Sequence, residues 1–555
     1  MFPALTGYLR LKRKTELIGD RKEDSIVAPK QGDWGDLIAV SERLQKAVSH
    51  TIQEGYQLDS EAFLFLETLS KTEDPVALVE QLTTKINEAE QKPLFITRDL
   101  IEEFMTQTTE AKDVGAASLP SEPQPPPIFE SRKEAFKPYA KEIDADIQVF
   151  EDPTAAVTTV GSIEEYHEYF LDRFKRLQRF LRQRMDAKDA TSIAEALKAP
   201  MNARVKVIGM ITEKRESKQR SFLRLEDTES TATVLVYPNL ESSVHARVQD
   251  LLLDQVVCVS AIKSRNDLLI LEDVLFPEIP QKTPNKASEP VYAALISDLH
   301  VGSKLFMRAE FSRFLLWLNG KLGDPDWREI AGHIKYVVIA GDIVDGIGIY
   351  PKQTKELAIK DIHRQYVAAS RYLEQIPDYI KLVIIPGNHD ASRKALPQPA
   401  LPKDYAEPVY EVREVHSLGN PCSIGLHGVE LLVYHGRSLD DVTANMPNAS
   451  FESPEKAMKI LLRGRHLAPI YGQRTPIAPG KRDFLVVERV PDIFHAGHVH
   501  VQGHGKYRGV LMVNSGAWQE KTEYMSRLGL KPTPGIIPVV NLQTMQVTTL
   551  DFREA

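Results

Sequence analysis

Five short segments concentrate the side chains able to do chemistry. They are Ser297-Asp298-Leu299-His300, Gly341-Asp342-Ile343-Val344-Asp345, Pro386-Gly387-Asn388-His389-Asp390, Tyr434-His435-Gly436 and His495-Ala496-Gly497-His498-Val499-His500. Carboxylate, amide and imidazole are donors for a divalent cation, and imidazole beside carboxylate also moves protons. Taken singly, most of these segments are ordinary. An Asp-x-His is commonly a turn acid beside a surface histidine, and Gly-Asp after a strand is a frequent turn. Gly-Asn-His-Asp is more specific, because it puts three donor types on one loop. Gly-His-Val-His, read as a strand, sends both imidazoles to one side, since residues two apart share a face. His435 alone would carry no weight. Five such segments in series are hard to explain as five separate turns.

What positions them is a repeated element. Val291–Ile296, Tyr336–Ala340, Ile380–Ile385, Leu431–Tyr434 and Asp492–Phe494 are apolar runs of strand character, and each delivers its polar segment at its carboxyl end. Ligands of α/β sheets bind at those ends. Residues 291–555 are therefore predicted to form an α/β domain with one site.

The rest of the chain divides by periodicity. Residues 1–36 read as a loose tail, and 37–107 as a small helical domain with apolar positions Leu37, Val40, Leu44, Val48, Phe63, Leu66 and Leu69. Residues 108–160 read as a linker, with the proline-rich run 118–127 at its centre. A basic helix over Ile163–Met185 opens the 161–280 domain. Its arginines are read first as a solvated face on a packing helix and second as phosphate contacts. Period-two alternation from Val205 to Leu271, with one helix near Leu240–Leu252, predicts a five-stranded OB barrel. Phe222 and Tyr237 are its only evident stacking aromatics, which favours docking over DNA binding. Residues 281–290 form a second linker.

Composition bounds the setting. With 555 residues, 42% hydrophobic and 26% charged, the chain reads as an ordinary multi-domain soluble protein. A net charge of −8 excludes binding nucleic acid by bulk positive charge, but not a local basic groove. Two cysteines exclude a disulfide scaffold and a thiolate metal site, so a reducing interior is expected. No apolar run reaches membrane-span length and no secretory signal is evident. The expectation is a cytoplasmic, nucleoid-associated protein with no membrane partner.

The order Asp-x-His, Gly-Asp-x-x-Asp, Gly-Asn-His-Asp, His, Gly-His-x-His resembles the calcineurin-like metallophosphoesterase superfamily, whose fold is a β-sandwich flanked by helices. The resemblance implies one metal on Asp298, His300, Asp342 and His500, and a second on Asp342, Asn388, His435 and His498. It implies catalysis by a hydroxide bridging the two metals, with His389 facing the leaving oxygen and Asp390 orienting His389. Donors of this kind suit Mn²⁺ first, then Fe, Zn or Ni, better than Mg²⁺. One position departs from the pattern: double-strand-break repair nucleases of the superfamily carry histidine where this chain has Asp345. Asp345 is then either a local catalytic substitute or a structural acid.

The arrangement of helical domain, linker, barrel and phosphoesterase is similar to the small subunits of archaeal family D DNA polymerases and the B-subunits of eukaryotic replicative polymerases. The similarity is carried by Pro397–Ala400, Tyr434–Asp441, Arg465–Gly472, Asn514–Gln519 and Lys531–Gly535. It implies a 3′→5′ proofreading exonuclease that partners a large polymerase subunit, acts on DNA with a 3′ end, and meets the sliding clamp through the holoenzyme. Arg393, Lys394, Arg463, Arg465 and His466 are the candidates for holding DNA phosphates. A catalytically silent scaffold subunit and a free-standing metallophosphodiesterase are the alternatives. His333, His363, His416, His427 and His504 are read as surface or packing residues, and His495 as an even choice between packing and support of the site.

Overall fold

In a computed structural model of the chain, the described residues are 136–217, 220–447, 449–527 and 529–554, with 74–88 and scattered positions between 46 and 105. Two compact units divide it, residues 1–132 and 133–555. The expected tail, the proline-rich run, and Leu37, Val40, Leu44, Val48 and Phe63 lie outside the described residues. In the first unit, helix Pro75–Glu88 buries Val79, Leu82 and Ile86 against Leu66, Ile96 and Ile101. A short parallel pair, Gln57–Leu58 with Phe95–Ile96, adds strand to a region expected to be helical.

The second unit is built on two six-stranded sheets. In the first, Val415–Ser417, Lys381–Ile385, Ile334–Ala340 and Tyr292–Ile296 run parallel, and the hairpin Ile536–Asn541/Gln546–Asp551 adds antiparallel to the last of them. The second is ordered Gly503–Tyr507, Val510–Asn514, Ile493–Ala496, Val429–Val433, Cys422–Leu426 and Ile147–Glu151, with the central three parallel. Strands buried on both faces read as continuous apolar runs, which is why Ile334–Ala340 has no exposed residue. One face of each sheet joins a common core of Leu295, Tyr336, Val338 and Val383 against Ile424, Leu431, Val433 and Val513. The opposite faces are covered by helices. Arg308–Leu318 and Ile362–Leu373 pack on the first sheet, and Pro454–Gly464 packs on the second.

Ile147–Glu151 corrects the expected 108–160 linker. It is an edge strand paired antiparallel with Cys422–Leu426, and Tyr336 Oη holds the approach to it by accepting from the Asp146 amide at 2.9 Å. Residues 281–290 are likewise fastened, since Asn285 donates twice to the buried Asp492 carboxylate.

The barrel closes in the order Arg204–Ser217, Arg220–Glu226, Thr231–Val236, Leu268–Leu275, Val256–Lys263. Its interior holds Val207, Leu223, Leu225, Val234, Val259 and Leu271, the alternating positions of the sequence. Helix Ile163–Arg182 begins at a capping box of Ser162 and Glu165 and packs Phe174, Leu177 and Phe180 between the barrel residues Ile208 and Cys258 and the sandwich residue Val486. Its basic residues face inward where they matter most. Arg173 is fully buried, with Nε to Asp483 at 2.7 Å and one terminal nitrogen to the Pro469 carbonyl, and Arg176 pairs with Glu488 and Asp172. These two arginines contact protein, not phosphate. No described helix is long and apolar enough to cross a membrane.

Candidate metal centre

All five polar segments meet along one edge of the sandwich, because the strands that precede them are parallel within each sheet and end there together. Two contacts tie the sheets at this edge. The His435 Nδ1 donates to the Ala340 carbonyl at 2.8 Å, and the His498 amide donates to Asp298 Oδ2 at 2.8 Å. The backbone is bent to bring the side chains inward: Asp298, His300, Asp342, His498 and His500 all have positive φ, between 53° and 72°. Left-handed non-glycine residues cost on the order of 1 kcal/mol or more each and gather at functional sites. Close approach also requires Gly387 and Gly497. A Cβ on Gly387 would lie 2.1 Å from Asp342 Oδ1, and one on Gly497 would lie 2.6 Å from Asp298 Oδ2.

The donor atoms converge in a way that invites a cation. His300 Nδ1 donates to Asp345 Oδ1 at 3.1 Å, so in the neutral ring the lone pair sits on Nε2, which lies 3.0 Å from His500 Nε2 and 3.8 Å from Asp298 Oδ1. The His435 tautomer is fixed in the same way by the Ala340 carbonyl. Its Nε2 then faces Asn388 Oδ1 at 3.0 Å and Asp342 Oδ2 at 3.3 Å. Asp298 Oδ1 and His500 Nδ1 are buried without a hydrogen-bond partner. Buried acceptors crowded against acceptors are costly unless a proton or a metal ion stands between them. Three overlapping groups have ligand atoms close enough to share an ion: Asp298/His300/His500, His300/Asp342/His389 and Asp298/Asp342/His435. The donors therefore fit divalent metal.

Charge in the site follows from that crowding. Burial opposes ionisation of Asp298 and Asp342, yet the surrounding imidazoles outweigh it and hold both carboxyls below the usual range. Burial would lower His435, but Asp342 pushes it up to about 9. His300 is raised against burial by Asp345 and Asp342. His389 goes the other way: burial brings it down to about 4. A metal ion would displace the protons that His300 and His435 otherwise attract.

Of the residues singled out by sequence, Asp298, His300, Asp342, Asn388, His389, His435 and His500 come together. His498 differs. It and His500 follow the strand in a loop of positive φ, so the same-face rule for strands does not govern them. The His498 ring lies 5.1 Å from the His435 ring, but its Nε2 pairs with Asp440 Oδ2 at 3.3 Å. With Nε2 committed there, Nδ1 is the nitrogen left to serve a metal.

Asp390 does not orient His389. It accepts from the Asp342 and Gly387 amides at 2.8 Å each and from Tyr366 Oη at 3.3 Å, which fixes the loop rather than the imidazole. Burial, reinforced by Asp342, raises its carboxyl to about 6. The residue that orients His389 is Asp345, whose carbonyl accepts from His389 Nδ1 at 2.7 Å while its carboxylate holds His300. Asp345 is fully buried, so it supports the centre from beneath.

The basic candidates are largely occupied. Arg393 donates to the Pro397 and Val157 carbonyls, and Lys394 donates to the Asn388 and Asp390 carbonyls. Arg463 pairs with Asp250, Arg465 donates to Val487 and Glu488 carbonyls, and His466 is buried on Asp483. As phosphate ligands Arg465 and His466 are excluded by burial, at 7% and 2% exposure.

Several supporting residues carry no signal of their role in the sequence. Asp440, in the first turn of helix Leu439–Asn445, looks like an ordinary N-terminal acid. Gln519 and Gln353 each donate to the Asp345 carboxylate, and Gln398 donates to the Gly387 carbonyl. The Thr533 amide donates to the His500 carbonyl and the Trp518 amide to the Asp298 carbonyl. Most of these lie in the strings that carry the family resemblance, which marks their positions but not what they touch. His495 is fully buried on Ser515. His333 stacks between Tyr139 and Tyr292, and His427 bonds Tyr336.

Known proteins are similar to this chain over most of its length. A family model for the B-type polypeptide of DNA polymerases alpha and epsilon matches residues 293–503. The DNA polymerase II small subunit of Methanothermobacter thermautotrophicus is 35% identical over 507 residues, covering 91% of this chain and 99% of that protein. That of Archaeoglobus fulgidus is 38% identical over 461 residues, covering 83% and 89%. That of Methanocaldococcus jannaschii is 39% identical over 419 residues, covering 75% and 70%.

Proposed function

The chain belongs to the DNA polymerase II small subunits, those of the archaeal family D polymerases, and on that premise we propose that it is a metal-dependent 3′→5′ proofreading exonuclease with a calcineurin-like metallophosphoesterase fold. It works beside a large subunit that carries polymerase activity and presents the DNA end. The observation that carries the proposal is the crowding of lone pairs: His300 Nε2, His435 Nε2, Asp342 Oδ2, Asn388 Oδ1 and the unpartnered Asp298 Oδ1 face one another across about one ion's width.

Asp298, His300, Asp342 and His500 would hold one cation, and Asp342, Asn388, His435 and His498 the other, with Mn²⁺ the best match to the donors. Two such cations supply an activated water and neutralise charge on the phosphoryl oxygens. The chain does the rest. His389 stands on the Asp345 carbonyl with Nε2 directed away from it, neutral in the free site, and takes its proton when a phosphate anion lies beside it. That proton goes to the leaving 3′ oxygen. Asp345 keeps His300 and His389 in fixed tautomers at once. Asp440 keeps His498 Nδ1 free. Asp390 locks the Gly387 and Asp342 turns, so that the ligands need not reorganise when substrate arrives.

The test is hydrolysis of a 3′-mismatched primer by the chain with its large subunit in Mn²⁺. Asp342→Ala should abolish cleavage and lower bound metal. A wild-type complex that binds no divalent cation and leaves the primer intact would overturn the reading in favour of a silent scaffold. Cleavage of small diesters by the chain alone, without its large subunit, would favour the free-standing enzyme.

A further inference from the structure

Beyond Asp345 the chain turns outward through Gly346–Tyr350 and sets an aromatic ladder beside the centre. The Tyr350 ring lies 6.3 Å from the His389 ring, and Tyr524 stacks on Tyr350 at 5.9 Å with 25° between planes. Tyr350 Oη donates to Glu356 at 2.7 Å, which fixes that ring. Tyr524, on the short helix Glu523–Arg527, is 51% exposed, and Ile347 beside the ladder is 43% exposed. Neither tyrosine belongs to any of the buried clusters of the unit. Lys352, Lys355 and Lys521 are exposed on the same two segments.

We infer that Tyr350 and Tyr524 form a stacking platform for the base at the 3′ end of single-stranded DNA, an inference that rests on the nuclease reading above. Aromatic stacking accepts any base, because every base has a π face, and it requires the base to have left its duplex neighbour. Lysines flanking such a ladder meet backbone phosphates. The platform lies one ring away from His389, so a base stacked there puts its own 3′ end region at the metal ligands. The platform thus selects frayed termini over paired ones.

Binding and turnover are read separately with the full chain and its large subunit. A single-stranded oligonucleotide carrying 2-aminopurine at the 3′ terminus should be quenched by wild type, and one with the probe several nucleotides inward much less. Tyr524→Ala should release the terminal quenching and raise KM for the oligonucleotide about tenfold with little change in kcat, the scale of one lost base stack. Tyr524→Trp should restore both. Equal quenching by wild type and Tyr524→Ala, or a loss confined to kcat, overturns the platform. If wild type quenches the terminal probe and cleaves nothing, the platform stands and the nuclease reading falls. Tyr524 is exposed enough that both variants should fold, which the thermal transition checks.

Discussion

Replacing Asp345 by asparagine separates two meanings of that acid. Its carboxylate receives His300 Nδ1 at 3.1 Å and Gln519 Nε2 at 3.0 Å on one oxygen, and Gln353 Nε2 at 3.1 Å on the other. Asparagine can keep the first oxygen but turns an NH₂ toward Gln353, and it removes the negative charge that makes His300 a stronger ligand. Loss of a carboxylate behind a metal-binding imidazole typically weakens metal binding about 10- to 100-fold, or roughly 1.4–2.7 kcal/mol. The backbone carbonyl that holds His389 survives the change. Asp345→Asn should therefore shift the Mn²⁺ titration by that factor, followed by calorimetry or by electron paramagnetic resonance of free Mn²⁺. Exonuclease kcat should return close to wild type once the metal is saturating. If the titration is unmoved and kcat stays low at any Mn²⁺ concentration, Asp345 acts on the substrate and its supporting role is wrong.

Other outcomes follow from the same geometry. His389→Ala should lower kcat by about 10²–10⁴-fold with metal content retained, checked by elemental analysis of the purified variant. Asp390→Ala should strip two buried amides of their acceptor, destabilising the protein by roughly 2–6 kcal/mol in denaturant unfolding, and its damage should track lost stability rather than a changed pH profile. With chelator present, His435 makes stability depend on pH. Its folded value of about 9 lies above the ordinary 6.5, so its contribution is full below 6.5 and is lost as pH rises through about 9, on the order of 3 kcal/mol in total. The stabilisation given by added Mn²⁺ should accordingly grow across that window, and a gap between chelated and Mn²⁺-loaded protein that ignores pH would count against His435 as a ligand.

Residue type and strand-end placement were enough to find the centre, because a ligand must be a donor and must sit where parallel strands stop. Asp298, His300, Asp342, Asn388, His435 and His500 were legible for that reason. The barrel was legible because a small closed sheet buries every second residue. What remained hidden was orientation. Nothing in Gly-Asn-His-Asp tells that Asp390 turns back onto the Asp342 and Gly387 amides, since a carboxylate next to a histidine in sequence need not face it. Asp440 and Gln519 sit far along the chain from the groups they serve. The strand Ile147–Glu151 was missed because edge strands are short and its neighbours are rich in proline and charge. The arginines of Ile163–Arg182 looked solvated because composition does not reveal that Asp483 and Glu488 arrive from another segment.

Arg173 has a mechanical consequence. An arginine sealed on Asp483, with its remaining nitrogens on Pro469 and Tyr169, behaves as a rivet through the helix that joins barrel to sandwich. Extracting one member of such a pair is strongly unfavourable, about 3–5 kcal/mol. The barrel is thereby denied the freedom of a swinging arm. Whatever grips its outer wall is held at a constant span from the cluster of imidazoles, and a DNA terminus must make that journey by its own unwinding.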